Sequence, residues 1–263
     1  MTQPPPPQPG TIEYEFGVAI PGAIQPPEKW TRTALKKLPP PPLDFDQLFG
    51  RSAPLVLDLG CGNGRYTLLS ALARPGFNHF AIDVLPAVIR YATRRANQRG
   101  LAHVRFAVKD AQAFMRDYVP AGKAAEVHLY HPQPFHDRRE AHMRVVTPRF
   151  LADVHRGLAP NGLFVFQTDS PEYWQYTKAI AAPFFDFKAQ EGPWPDAPEG
   201  RTRREIFSRS RGVEIFRGSG IRRDGLSDAE IEKLVKTLPP PTFKTRGAWM
   251  EIDELERRGV AEE

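Results

Sequence analysis

The chain's 263 residues suffice for one sizeable α/β domain with a buried core and some appendages. A single cysteine, Cys61, excludes an internal disulfide, and no run approaches the about 18 uninterrupted apolar residues of a membrane helix. Lys and Arg outnumber Asp and Glu by 36 to 31, with eight Arg against two Glu between 201 and 223, so a soluble cytoplasmic protein with an acidic partner is expected.

Twelve of the 28 prolines fall within the first 42 residues. Such a segment buries little apolar surface, and its X-Pro bonds favour extended backbone over helix. Residues 1–42 are therefore read as an arm, either disordered for the most part or laid as a strap over the domain. From residue 54, apolar runs alternate with amphipathic segments, the pattern of βαβ units around a mostly parallel sheet. Strands are expected at 55–60, 79–84, 103–110, 126–131 and 163–169. Helices are expected at 65–73, 86–100, 149–158 and 172–181, the last two opened by Thr147-Pro148 and Ser170-Pro171. "FFDFKAQ" and "RGVEIFRG" read as two further strands, antiparallel at a sheet edge. Ser227 and Glu230 make a capping box for a helix that Pro239 stops. The domain is thus placed at 43–223 and a polar helical tail at 224–263.

The stretch "LDLGCGNG" sets Gly60, Gly62 and Gly64 at alternate positions between a strand and a helix. A dinucleotide fingerprint needs its third glycine one residue later, so the spacing speaks against NAD. Asp58 precedes the glycines, Asp83 ends the next strand 19 residues after Gly64, and Asp110 ends the third. A carboxylate at the second strand end suits ribose hydroxyls, one beside the glycines suits a cationic amino-acid end, and one at the third suits an adenine amino group. Taken singly, each suits a plainer role as a turn or a helix cap. Together, at the carboxyl ends of successive strands, they describe a site for S-adenosylmethionine, with Asn63, Val84 and Ala111 beside them.

This stretch resembles the glycine-rich motif of class I S-adenosylmethionine-dependent methyltransferases. The resemblance implies a Rossmann-like fold, with a seven-stranded mostly parallel sheet, helices on both faces and an antiparallel last strand. Over roughly residues 54–220 the chain resembles the tRNA (guanine-N7-)-methyltransferases: in "HPQPFHDRREAHMR" their Pro-Asp-Pro-Trp loop, in "TPRFLADVHRGLAPNG" the helix and turn after it, in "TDSPEYW" their Thr-Asp motif, and in "TRRE" their Thr-x-x-Glu motif. It implies that Asp169, Thr202 and Glu205 hold a guanine, with Arg203 and Arg204 beside them. A carboxylate can accept from the guanine N1–H and amino group and turn N7 toward the methyl group.

The loop departs from the family. Gln133 stands where an aspartate is expected, Phe135 replaces a tryptophan, and Asp137 replaces a lysine. Gln133 is the candidate for catalysis and for the reacting end of the cofactor, and Asp137, Arg138 and Arg139 for substrate contact. Glutamine keeps a carbonyl acceptor but loses the charge, so it favours a developing cation less. Arg138, Arg139 and Arg144 after the loop, and Arg201, Arg203, Arg204, Arg209 and Arg211 around the Thr-x-x-Glu motif, suggest RNA, tRNA above all, as the partner. Nothing in the sequence calls for a metal or a membrane, and it leaves the oligomeric state open.

Overall fold

The computed structural model describes residues 8–245; residues 1–7 of the arm expected at 1–42, and residues 246–263 of the tail expected at 224–263, lie outside the described residues. The strap comes first. β1 (Tyr14–Glu15) and β2 (Val18–Ala19) form a hairpin whose two turn residues, Phe16 and Gly17, both have positive φ, as a tight primed turn requires. A 3-10 turn at Pro27–Lys29 leads to β3 (Ala34–Leu35), and Asp44 caps the short α1 (Phe45–Phe49).

The alternation then follows: β4 (Leu55–Leu59), α2 (Arg65–Ala73), β5 (Asn78–Asp83), α3 (Pro86–Gln98), β6 (Val104–Val108), α4 (Ala111–Ala113) running into a π turn, and β7 (Ala124–Tyr130). After the loop come a 3-10 turn at Arg138–Met143, α5 (Pro148–Gly157), β8 (Leu158–Thr168), α6 (Pro171–Ala181), β9 (Phe185–Gln190), α7 (Arg203–Ser210), β10 (Phe216–Arg222) and α8 (Asp228–Thr237). Local chemistry sets the helix starts. Thr147, Ser170 and Thr202 each accept a backbone N–H three residues on, and Ser227 with Glu230 forms the full capping box.

The strands order as β3-β6-β5-β4-β7-β8-β10-β9, parallel from β3 to β8, with β10 antiparallel to both of its neighbours. This is the expected α/β architecture with one strand more than the seven expected. The addition is β3, which the arm lays beside β6. Residues 8–42 form a strap rather than a disordered arm, because backbone bonds tie them down: Gln25 N and Thr31 N donate to the carbonyls of Gln98 and Asn97, and Phe106 N to Thr33 O. Ile20 joins Leu68, Ala92, Val104 and Phe106 in the core on one face of the sheet. The larger core, with Phe80, Phe114, Phe150, Phe166 and Trp174, fills the other face, and α8 packs Ile231 and Leu234 onto it. The tail is accordingly docked on the domain as far as Thr245. The stretch 203–210, left unassigned from sequence, is helical because Thr202 caps it; the last strand therefore starts at Phe216 rather than Arg211.

Candidate active site

The carboxyl ends of β6, β5, β4, β7 and β8 place Asp110, Asp83, the glycine loop, the Gln133 loop and Asp169 along one edge of the sheet. At the end of β4, Asp58 is buried; its Oδ2 accepts from Thr67 Oγ1 at 2.5 Å, and its Oδ1 has no hydrogen-bond partner. Burial, the largest influence, and the nearby charge of Asp83 outweigh the Thr67 hydrogen bond and push the Asp58 carboxyl up to about 7. Gly60 and Gly62 have left-handed φ of 74° and 52°, and a Cβ on either would meet nothing within 4 Å, so both border open space. Gly64 serves packing instead, since a Cβ there would stand 2.8 Å from that of Ala92 on α3.

Asp83 ends β5 and accepts from Gly62 N at 3.0 Å and Leu85 N at 2.9 Å, so it shapes the glycine loop directly. Beside it, Val84 and Leu85 are 58% and 57% exposed and Val108 is 43% exposed, an apolar shelf at the strand ends. Asp110 caps α4 through Ala113 N at 2.8 Å and stays exposed, with Ala111 buried behind it. Asn63 donates to Glu15 Oε1 of the strap.

The Gln133 loop is stiff and strained. His131 and Phe135 are non-glycine residues at φ 47° and 46°, Pro132 and Pro134 are buried, and the Gln133 side chain faces solvent between them. Arg144 holds the loop: only 1% exposed, it donates to the carbonyls of Pro134 and Phe135 and to those of Pro241 and Phe243 in the tail. Arg144 is therefore a structural clamp and not part of an RNA-gripping run. Asp137 caps the following 3-10 turn and pairs with Arg139 Nη2 at 2.6 Å on the surface. The two expected substrate contacts thus occupy one another; Arg138 opens the same turn.

The residues expected to seat a guanine are engaged by partners within the chain. Glu205 is completely buried, and its carboxylate accepts from Arg217 Nη2 at 2.5 Å, Gln167 Nε2 at 3.0 Å and Arg201 N at 2.9 Å. Burial by itself would raise its carboxyl, but Arg217 and the other donors hold it low. It is the hub of a core network, since α7 turns its side chain under the sheet. Asp169 is 5% exposed and accepts from Arg204 Nε at 2.6 Å and Ser208 Oγ at 2.9 Å; its Oδ1 stands 3.5 Å from His131 Nδ1. Burial opposes its charge, yet His131 and Arg204 together keep it ionised well below the usual carboxylate range. Ser170, not Asp169, caps α6. Thr202 caps α7, accepting from Glu205 N, and Arg203 reaches Glu15 at 3.2 Å with its guanidinium over the Phe16 ring. Among the expected residues, only Asp169 brings a carboxylate to the strand ends on the substrate side.

Sequence reasoning missed His131 and Gln167. Gln167 Nε2 donates to His131 Nε2 at 2.9 Å, which leaves the imidazole Nδ1–H turned toward Asp169. Their place at the carboxyl ends of adjacent strands was a signal available in the sequence. Glu15 was missed too, and no local pattern in the arm points to it. Among the described residues no group of His, Cys, Asp and Glu could hold a metal ion, and no helix is long and apolar enough to cross a membrane.

A family model described as "Putative methyltransferase" matches residues 52–217. The tRNA (guanine-N(7)-)-methyltransferase of Aeromonas hydrophila subsp. hydrophila is 31% identical over 164 residues, covering 62% of this chain and 69% of that one. The chain belongs to the tRNA (guanine-N(7)-)-methyltransferase family. Its similarity to the enzyme of that name from Bordetella parapertussis is 36% over 134 residues, or 51% of this chain, and the chain spans about half the length of that relative, 53%. The crystal structure of the 16S rRNA methyltransferase KamB superposes with a TM-score of 0.53 at 16% identity, covering 73% of this chain and 99% of that one; at this identity the likeness is one of fold.

Proposed function

We propose that the protein binds S-adenosylmethionine along the strand ends and methylates guanine N7 in tRNA. The observation that carries the reading is the buried, unpartnered Asp58 Oδ1 beside two glycines that border open space. A buried acceptor without a donor is costly, and an ammonium group satisfies it. Asp83 has lone pairs left for ribose hydroxyls, the Val84–Leu85 shelf offers apolar cover to an adenine, and the exposed edge of Asp110 can accept from its amino group. When bound, S-adenosylmethionine supplies an electrophilic methyl group on a sulfonium.

The protein's own work is positioning. Guanine N7 carries a lone pair and no proton, so transfer depends on alignment and tolerates the absence of a general base. Gln133, held between two buried prolines, presents an amide carbonyl at the end of β7, and ionised Asp169 with His131 forms the polar wall at the end of β8. Incubation of the protein with labelled S-adenosylmethionine and unmodified tRNA, followed by digestion to nucleosides, tests the reading: label is expected in 7-methylguanosine. Label in another nucleoside would favour a second reading, a different RNA acceptor, for which the departures at Gln133, Phe135 and Asp137 speak. Cofactor binding with no label in RNA would overturn both.

A further inference from the structure

The arginines that the sequence offers for RNA are largely engaged by partners within the chain. Arg144 clamps four carbonyls, Arg204 pairs with Asp169, Arg139 with Asp137, and Arg201 with Asp196 and the Tyr130 hydroxyl. Another face of the molecule carries cations that the fold leaves available. Segments 20–42 and 85–109 together hold ten Lys and Arg and one acid, Glu28, and the strap lays the first segment on the second. Among the described residues, no carboxylate pairs with Lys29, Arg32, Lys36, Lys37 or Arg90, and all five are exposed. Arg90 and Arg94 project from α3 one and two turns beyond the Asp83 end of the site, and Arg94 lies over the ring of exposed Tyr91.

Between the strap and α3 runs a groove of about 320 Å³, lined by Trp30 and Ala34 on the strap and by residues of α3 from Ile89 to Gln98. That is far beyond the share of about 30 Å³ taken by one water, and fits a ring system. Trp30 is 37% exposed and does not swing freely, because its Nε1 donates to Gln25 O at 2.7 Å. The groove walls are fixed as well: Thr33 donates through N and Oγ1 to Asn97 Oδ1, both at 2.9 Å. Two lining residues that are nine-tenths or more buried, Thr93 and Gln98, each have a side-chain oxygen with no hydrogen-bond partner.

We propose that this groove is a second RNA contact, in which an unstacked base lies against Trp30 while its flanking phosphates pair with Arg90, Arg94, Lys36 and Lys37. The inference rests on the reading that the acceptor is RNA. A base supplies what the groove needs: a π face for the indole and an apolar edge for Ile89 and Ala34. Phosphates supply the charge that Arg90 and Arg94 at the groove, and the exposed Lys29, Arg32, Lys36 and Lys37 along the strap, call for.

The test compares binding of unmodified tRNA to the full chain with that of R90E/R94E, of K36E/K37E on the separate strap segment, and of Trp30→Ala beside Trp30→Phe. Each charge reversal is expected to weaken tRNA binding about tenfold or more and to lower the slope of log affinity against log salt by about two. Trp30→Ala is expected to cost about fivefold or more, and Trp30→Phe to restore most of it. Cofactor affinity should not move. If wild type methylates tRNA and both reversal variants bind it as wild type does, the groove proposal is overturned while the function stands. A wild type that binds cofactor but no tRNA overturns the groove and the RNA reading together.

Discussion

Asp58 shows how a single residue couples the site to pH. Its carboxyl is pushed up to about 7 in the folded chain against an ordinary value near 3.8. A raised folded value means that the protonated form contributes stability fully below about 3.8, and that this contribution is lost as pH rises through about 7. In the ligand-free protein, thermal stability should therefore fall across that window, by on the order of a few kcal/mol. Asp58→Asn should flatten the dependence in calorimetry. Cofactor binding has the opposite sign, because the ammonium needs the carboxylate: affinity should weaken as pH falls below about 7, and Asp58→Asn should abolish that dependence along with most of the binding. Gln133 carries a second prediction. Gln133→Asp restores a charge in a loop whose shape the neighbouring prolines and Arg144 already hold, and kcat for tRNA should rise on the order of tenfold or more. An unchanged kcat would show that Gln133 lies outside the reacting centre.

At the scale of elements, the loop after β7 and the chain after α8 act as one unit through Arg144. Its guanidinium joins four carbonyls and lies 3.8 Å from the centre of the Phe243 ring. Arg144→Met removes these donors from a buried position, at a cost on the order of 3 kcal/mol. The discriminating readout is hydrogen exchange: the hydrogen-bonded amides of His131 and Thr242 should speed up together, though they lie far apart in sequence. Most elements were legible beforehand. Caps such as Ser170-Pro171 and the apolar runs of β4, β5 and β7 act within a few residues, so the starts of α5, α6 and α8 could be read locally. Where the structure departs, the cause is pairing at a distance. Ala34 and Leu35 have no strand pattern of their own and become a strand only because β6 offers an open edge.

Across the whole molecule, the strap joins the cofactor and substrate sides. Glu15, 2% exposed, takes the Asn63 amide from the glycine loop and sits 3.2 Å from Arg203 on α7, with Arg65 and Arg95 at 3.9 and 3.8 Å. Glu15→Gln keeps the shape and removes the charge, leaving three arginines facing one another in a buried pocket. A loss on the order of 3 kcal/mol is expected, seen as a melting temperature lower by several degrees. Cofactor affinity should fall with it, because Asn63 and Arg203 lose their common anchor. An unchanged melting temperature would mean that the strap merely rests on the domain.

The sequence by itself determined the α/β alternation, the glycine turn and the aspartates at successive strand ends, because these depend on periodicity and on spacing along one stretch of chain. The tertiary structure decided which charges are available. Glu205, Asp169, Arg144 and Arg204 read from sequence as groups for RNA, yet packing brings each within hydrogen-bond reach of partners that lie ten to a hundred residues away. Whether a charged side chain meets a ligand or another side chain is settled by burial and by what the fold sets opposite it, neither of which is written in its neighbours along the chain.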